Sequence, residues 1–229
     1  MKVLGLIGGL SWVSTADYYR IINQGINDKL GGLNFSECII YSFNFADIKK
    51  NNDKNDWEST YEMLKNASTH LKSSGASAII LCANTMHFLA DRLEEEINIP
   101  VIHVATVTAT KVVEAKVKKV ALLGTKFTME LDFFKLKLRE KNIETLIPKE
   151  EDRDFIQNSI YEELGKGIIN PETKKKYLRI IEDLIQEGAE GVILGCSEIP
   201  LLIKNTDVDI PVFDTTIIHS QAAIEFAIS

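Results

Sequence analysis

Two short stretches of the chain place chemically capable side chains directly after an apolar run. In the later one, Val192–Leu194 reads as a strand, Gly195 permits a tight turn, and Cys196-Ser197-Glu198 opens the next element. A thiol in that place meets backbone N–H groups and the positive end of any following helix. Both lower its pKa from about 8.5 toward neutrality and raise its thiolate fraction. Such a group can serve as general base or general acid near neutral pH. Free cysteine is also a common small buried hydrophobe. That reading fits Cys38, inside the apolar run Cys38-Ile39-Ile40-Tyr41, whereas the place after a strand-end glycine favours chemistry for Cys196.

The earlier stretch is Leu81-Cys82-Ala83-Asn84-Thr85-Met86-His87. Asn84 and Thr85 offer side-chain donors beside the backbone N–H groups of a helix start, a combination suited to a carboxylate. Asn and Thr also cap helices routinely, and it is the pairing with the thiol motif that favours binding. The opening Gly5-Leu6-Ile7-Gly8-Gly9-Leu10-Ser11 lacks the spacing of a dinucleotide loop, and no acidic residue ends the second strand. It reads as a close-approach loop, with Gly124-Thr125-Lys126-Phe127-Thr128 as its counterpart. His87, His103 and His219 sit on separate segments without metal-ligand spacing, and each reads as a hydrogen-bonded structural residue. Lys174-Lys175-Lys176 reads as a solvated helix face. Lys166, flanked by Gly165 and Gly167, reads equally as a surface lysine or as a loop lysine that reaches a substrate anion.

The elements that must carry these motifs alternate. Apolar runs at Val3–Ile7, Glu37–Ser42, Ala78–Leu81, Val101–Ile102, Lys119–Leu123, Glu144–Leu146, Val192–Leu194 and Val212–Phe213 predict strands. Helical periodicity covers Thr15–Leu30, Asp56–Ser73, Met86–Glu96 and Glu172–Glu187. This is the pattern of an α/β protein with mostly parallel sheet flanked by helices.

The pattern also repeats. Gly75-Ala-Ser-Ala-Ile-Ile-Leu-Cys-Ala-Asn-Thr85 matches Gly188-Ala-Glu-Gly-Val-Ile-Leu-Gly-Cys-Ser-Glu198, and each is followed by a strand entered through proline, Pro100 and Pro211. Leu4-Gly-Leu-Ile-Gly-Gly9 is echoed by Val120-Ala-Leu-Leu-Gly-Thr125. The offsets are 113 from Ala83 to Cys196, 111 from Pro100 to Pro211 and 116 from Gly8 to Gly124, about half of the 229 residues. A duplicated unit follows, with two pseudo-symmetric domains: 1–100 with the C-terminal segment 210–229, and 101–209. Parallel sheets bind ligands beyond the carboxyl ends of their strands, so an active site is expected in the cleft between the halves.

Composition agrees. Hydrophobic residues make up 45% and charged residues 26% of the chain, enough for a core without disulfide or metal staples. A formal charge of -7 argues against nucleic acid as a partner while leaving room for a small anion held by local lysines and helix ends. The first residues carry neither a long apolar region nor a cleavage site, and no run reaches the roughly 20 apolar residues of a membrane span. Three cysteines without pair spacing suggest reduced thiols and a cytoplasmic location.

Taken together, Gly8-Gly9-Leu10-Ser11-Trp12, Asn84-Thr85-Met86-His87, Gly124-Thr125-Lys126-Phe127-Thr128-Met129, Gly195-Cys196-Ser197-Glu198 and Phe213-Asp214-Thr215 resemble the aspartate/glutamate racemase superfamily, in particular its broad-specificity amino-acid racemase branch. The resemblance spans essentially the whole chain. It implies an isomerase without pyridoxal phosphate, metal or other cofactor. One group would remove the α-proton and another would protonate the opposite face. It implies substrate contacts at Leu10, Ser11, Asn52, Asn84, Thr85 and Lys166, with Ala83 and Ser197 in the same set, and a homodimer.

The chain departs from the family at the residue before Asn84-Thr85, which is cysteine in many relatives. Here it is Ala83, with Cys82 one place earlier. The internal repeat likewise sets Ala83 opposite Cys196 and Cys82 opposite Gly195. Neighbouring strand residues point to different faces. Either a bulge turns Cys82 inward as the second base, or Cys196 is the sole thiol base.

The expected reaction is racemisation of aspartate, glutamate or a related amino acid, with Cys196 and Cys82 as candidate bases. A decarboxylase of the arylmalonate type, needing one thiol, and a small-acid binding protein without turnover are the alternatives.

Overall fold

The computed structural model describes residues 1–229, which form two compact units: Met1–His103 with His219–Ser229, and Val104–Ile218. The first unit opens with strand β1 (Leu4–Gly8), buried at every residue, and helix α1 (Trp12–Leu30). Ser11 caps α1, its side chain accepting from the Ser14 N–H, which satisfies one donor that a helix start leaves open. Then follow β2 (Cys38–Ser42), α2 (Phe45–Asp53), α3 (Trp57–Ser73) capped by Asp56, and β3 (Ala78–Leu81). A 3-10 turn over Thr85–Leu89 leads into α4 (Ala90–Ile97), which ends on Asn98 in the left-handed conformation.

The strands are parallel in the order β2-β1-β3, with Leu4 opposite both Cys38 and Ala78. Period-two alternation sorts the side chains between two layers. Ile7, Ile79 and Leu81 join a cluster with Tyr61, Leu64 and Leu93, with Ala83 packed against it. Leu4, Leu6, Ile80 and Cys82 join the opposite cluster with Tyr18, Ile22, Ala223 and Ile224.

The second unit runs through α5 (Val104–Glu114), β4 (Lys119–Gly124), α6 (Lys126–Glu130), α7 (Asp132–Arg139), β5 (Glu144–Leu146), α8 (Glu150–Glu162), α9 (Pro171–Gln186), β6 (Gly191–Gly195), α10 (Ile199–Leu202) and β7 (Val212–Asp214). Asn170 caps α9, with Pro171 in the first turn where its missing N–H is harmless. Helix α11 (Thr215–Ile228) closes the chain; its residues from His219 onward count with the first unit. The four strands are parallel in the order β5-β4-β6-β7. Ala121, Leu123, Val192, Leu194 and Cys196 face one cluster, and Val120, Leu122 and Ile193 the other.

The pairing registers carry the same duplication as the sequence. Order β2-β1-β3 recurs as β5-β4-β6. The fourth strand, full in the second unit, is reduced in the first to one parallel bridge between Ile79 and Val101. It is flanked by Ile79 N–H to Pro100 O at 2.8 Å and Ile102 N–H to Ile79 O at 3.0 Å. The predicted strand at Val101–Ile102 is thus a single ladder step, because the chain turns into α5 at Val104. The helix predicted from Met86 to Glu96 begins as a 3-10 turn, tightened where the His87 N–H reaches back three residues to Asn84 O at 3.1 Å. No helix is long and apolar enough to cross a membrane.

Candidate active site

Cys196 lies one residue beyond the buried strand β6. Gly195 before it leaves no room for a side chain: a Cβ there would sit 2.8 Å from Leu123 O and 3.1 Å from the Thr128 methyl. Gly124, paired with it in register, is equally closed, by Gly195 O at 2.9 Å. Glycine at both positions lets the two strand ends approach closely. Leu194 O is held by the Thr215 hydroxyl at 2.8 Å, and Cys196 O accepts from the Ile199 N–H at 3.2 Å as α10 begins. The thiol is therefore fixed from both sides.

The Cys196 Sγ–H donates to Glu198 Oε2 at 2.9 Å, and the Ser197 hydroxyl donates to the same oxygen at 2.9 Å. Cys196 and Glu198 are both buried, at 8% and 9% exposure. Sequence reasoning expects a lowered thiol pKa here, and the structure corrects that expectation. Burial, then the neighbouring Glu198 charge and its hydrogen bond, push the thiol well above its ordinary value. The backbone N–H groups of Glu198 and Ser197 do pull it down, as expected, but more weakly. Helix α10, four residues long, adds little dipole. The resting group is a protonated thiol bonded to a carboxylate. Glu198 was legible only as part of a motif; that its carboxylate would fold back onto a sulfur two residues away is set by the turn.

In the first unit, Cys82 continues β3, its N–H donating to Ile7 O at 2.9 Å, so the ladder runs without a bulge. Its side chain lies on the Leu4, Leu6 and Ile80 face, fully buried, with Sγ 3.9 Å from Ile80 O. Burial, with Cys38 as a lesser influence, pushes its pKa far up. Ala83 lies on the other face and is half-buried. Asn84 is buried, Thr85 half-buried, and the Ser14 hydroxyl holds Cys82 O at 3.0 Å.

The remaining expected contacts are dispersed over several kinds of environment. Leu10 is buried in the same cluster that Ala83 packs against. Ser11 is committed to the α1 cap, and Gly9, at φ +73°, donates its N–H to Thr15 Oγ1 at 2.9 Å. Asn52 is on α2, half-buried, its Oδ1 accepting from the Thr60 hydroxyl at 3.3 Å. Ser197 is tied to Glu198. Lys166 ends a 3-10 turn before Gly167 at φ +75°, is exposed, and pairs with Glu162 at 2.6 Å.

One cluster has no sequence signal. His87, His103 and His219, each buried, come together with ring centroids 5.0 Å apart for His87 and His103 and 5.1 Å for His87 and His219. His219 Nε2 donates to Ile102 O at 2.6 Å, so its Nδ1 accepts from the Tyr18 hydroxyl at 2.8 Å. His87 Nδ1 faces Ala83 O at 3.0 Å and Asn84 O at 3.3 Å and therefore carries the proton. Burial first of all lowers His87 to about 4 and His219 to about 3. No group of His, Cys, Asp and Glu side chains has the geometry to hold a metal ion.

Residues 7–223 match the model of the Asp/Glu/Hydantoin racemase family. A candidate Asp/Glu racemase from Yersinia pestis is 44% identical, with a TM-score of 0.95 and both chains covered in full. An aspartate racemase homologue from Pyrococcus horikoshii is 38% identical at a TM-score of 0.88, again over both full chains. The broad-specificity amino-acid racemase RacX of Bacillus subtilis is 19% identical over 97% of this chain and 96% of its own length.

Proposed function

We propose, because the chain belongs to the Asp/Glu/hydantoin racemase family, that it is a cofactor-independent enzyme of the isomerase class. It transfers a proton at the α-carbon of aspartate, glutamate or a related small amino acid, and Cys196 is the carrier. The observation that carries this reading is the Cys196 Sγ–H bonded to Glu198 Oε2 at 2.9 Å at the end of a parallel strand. A buried thiol alone is a poor base. A thiol whose proton can pass to an adjacent carboxylate becomes a thiolate when a substrate arrives, and returns to a proton donor afterwards.

Asn84, Thr85 and Ser11, whose Oγ accepts the α1 cap bond while its O–H can still donate, supply hydroxyl and amide groups for a carboxylate, with Leu10, Asn52, Ala83 and Ser197 completing the proposed substrate set. Lys166 joins it only by releasing Glu162. Cys82, sealed in the apolar cluster, has no part in this reading.

The test is wash-out of the α-proton of L-aspartate and L-glutamate in D₂O, followed by NMR, with wild type and Cys196→Ala in parallel and no added cofactor. Exchange by wild type and none by the variant is the expected result. Equal exchange by both would remove Cys196 from the mechanism. Protonation of the resting thiol favours one alternative, a decarboxylase that delivers a proton to a carbanion. Release of carbon dioxide from a substituted malonate, without exchange on amino acids, would select it.

A further inference from the structure

The two halves place the same fold around different chemistry. Gly124 pairs with Gly195, and Gly8 is the counterpart of Gly124. Cys82 follows Leu81, whose register partner is Ile7, so Cys82 stands beside Gly8 as Gly195 stands beside Gly124. Ala83 is therefore the counterpart of Cys196. The faces agree: Ile79, Leu81 and Ala83 share one cluster, as Val192, Leu194 and Cys196 share another. Cys82 is on the opposite face, with Ile80, as Ile193 is in the second half.

Apart from Cys82, which faces the core, no thiol follows β1, β2 or β3, and the Val101 bridge that stands for the fourth strand is followed by Ile102 and His103, whose ring centroid lies 5.0 Å from that of His87. After β1 come Gly9, Leu10 and Ser11; after β2, Phe43 and Asn44; after β3, Ala83, Asn84 and Thr85. These are hydroxyl, amide and apolar side chains. His87, the nearest base in sequence, is buried and spends its Nδ1 proton on the Ala83 and Asn84 carbonyls.

We infer that proton transfer in this enzyme is one-sided: Cys196 both removes and returns the α-proton, and Ala83 determines this outcome by withholding the second, inverting transfer. The inference rests on the function proposed above. In the forward step the thiol proton passes to Glu198. The thiolate then takes the α-hydrogen as a proton, and the C–H electron pair stays on carbon, delocalised into the substrate carboxyl group. The resulting S–H exchanges with solvent. In D₂O it returns a deuteron to the same lobe of the carbanion, and configuration is retained.

The experiment follows D- and L-aspartate and D- and L-glutamate in D₂O by proton NMR for exchange and by chiral chromatography for inversion. Wild type is compared with Ala83→Cys, each checked for folding by circular dichroism. The expected result for wild type is exchange at least about a hundredfold faster than inversion, the low end of what one general acid–base group supplies. In Ala83→Cys the two rates should converge. Inversion that keeps pace with exchange in wild type would overturn the inference. So would a folded Ala83→Cys that exchanges as before and inverts no faster. No exchange with any of the four would instead overturn the proton-transfer function, and the inference with it. If the variant does not fold, the wild-type ratio alone decides.

Discussion

The end of β6 and the end of β3 are built alike, and the contrast between them shows how little a duplicated fold fixes of its chemistry. Strand order, register and cluster membership repeat residue by residue. At the end of β6 a thiol meets a carboxylate; at the end of β3 a methyl group stands beside amide and hydroxyl donors. Gly195 leaves that place in the second half without a side chain, whereas Cys82 in the first half fills its place with a core sulfur. All four histidines of the chain, His70, His87, His103 and His219, belong to the first unit. The second unit thus carries the thiol–carboxylate pair, and the first carries the histidine cluster and the amide and hydroxyl donors.

The largest expected effect comes from the proposed carrier, Cys196. Cys196→Ala should lower α-proton exchange by about a thousandfold or more, while Cys82→Ala should leave exchange within a few-fold of wild type, both read by NMR in D₂O. A comparable loss for Cys82→Ala would erase the contrast between the two cysteines. Glu198→Gln should cost about a hundredfold. Because the Glu198 charge helps to raise the thiol pKa, the variant should also titrate Cys196 at lower pH, read by the ultraviolet absorbance of the thiolate. An unmoved titration would mean that Glu198 acts only as a structural cap.

Acid should separate the halves. His87 and His219 take up protons in the folded state only near pH 4 and 3, against an unfolded value near 6.5. Below 6.5 the unfolded chain binds more protons, so stability falls as pH falls, by about 1.4 kcal/mol per pH unit for each histidine until its folded value is reached. Hydrogen-exchange protection, taken relative to the intrinsic exchange rate at each pH, should therefore fall between pH 7 and 5 in peptides around Tyr18, His87 and His219 before those of β4 and β6. A uniform loss of protection would refute this assignment. Gly195→Ala, which drives a methyl group into Leu123 O and Thr128, should cost about 1–3 kcal/mol in urea unfolding. The smallest change is Lys166→Ala. Its exposed pair with Glu162 should contribute less than about 1 kcal/mol to stability, so any rise in KM would report substrate contact alone.

Most of the scaffold was legible because its signals are local. Fully buried parallel strands are continuous apolar runs, and β1, β3, β4 and β6 fall within a residue of their predicted bounds. Ser11, Asp56 and Asn170 cap helices through contacts two or three residues away. The predicted strand at Val101–Ile102 shrank to one bridge because the early turn into α5 at Val104 ends the ladder. The placement of Cys82 and Ala83 on opposite faces followed from period two alone once the ladder proved regular.

The sequence by itself determined the two-fold repeat, the mostly parallel character of the sheet and the strand-end position of Cys196. Periodicity, glycine and proline act over a few residues and need no distant partner. Tertiary structure alone decided the ionisation of that thiol, the convergence of His87, His103 and His219, and the burial of Cys82. Desolvation and through-space charge depend on which distant segments pack around a group, and residues as far apart as Tyr18 and His219 meet only when the chain folds.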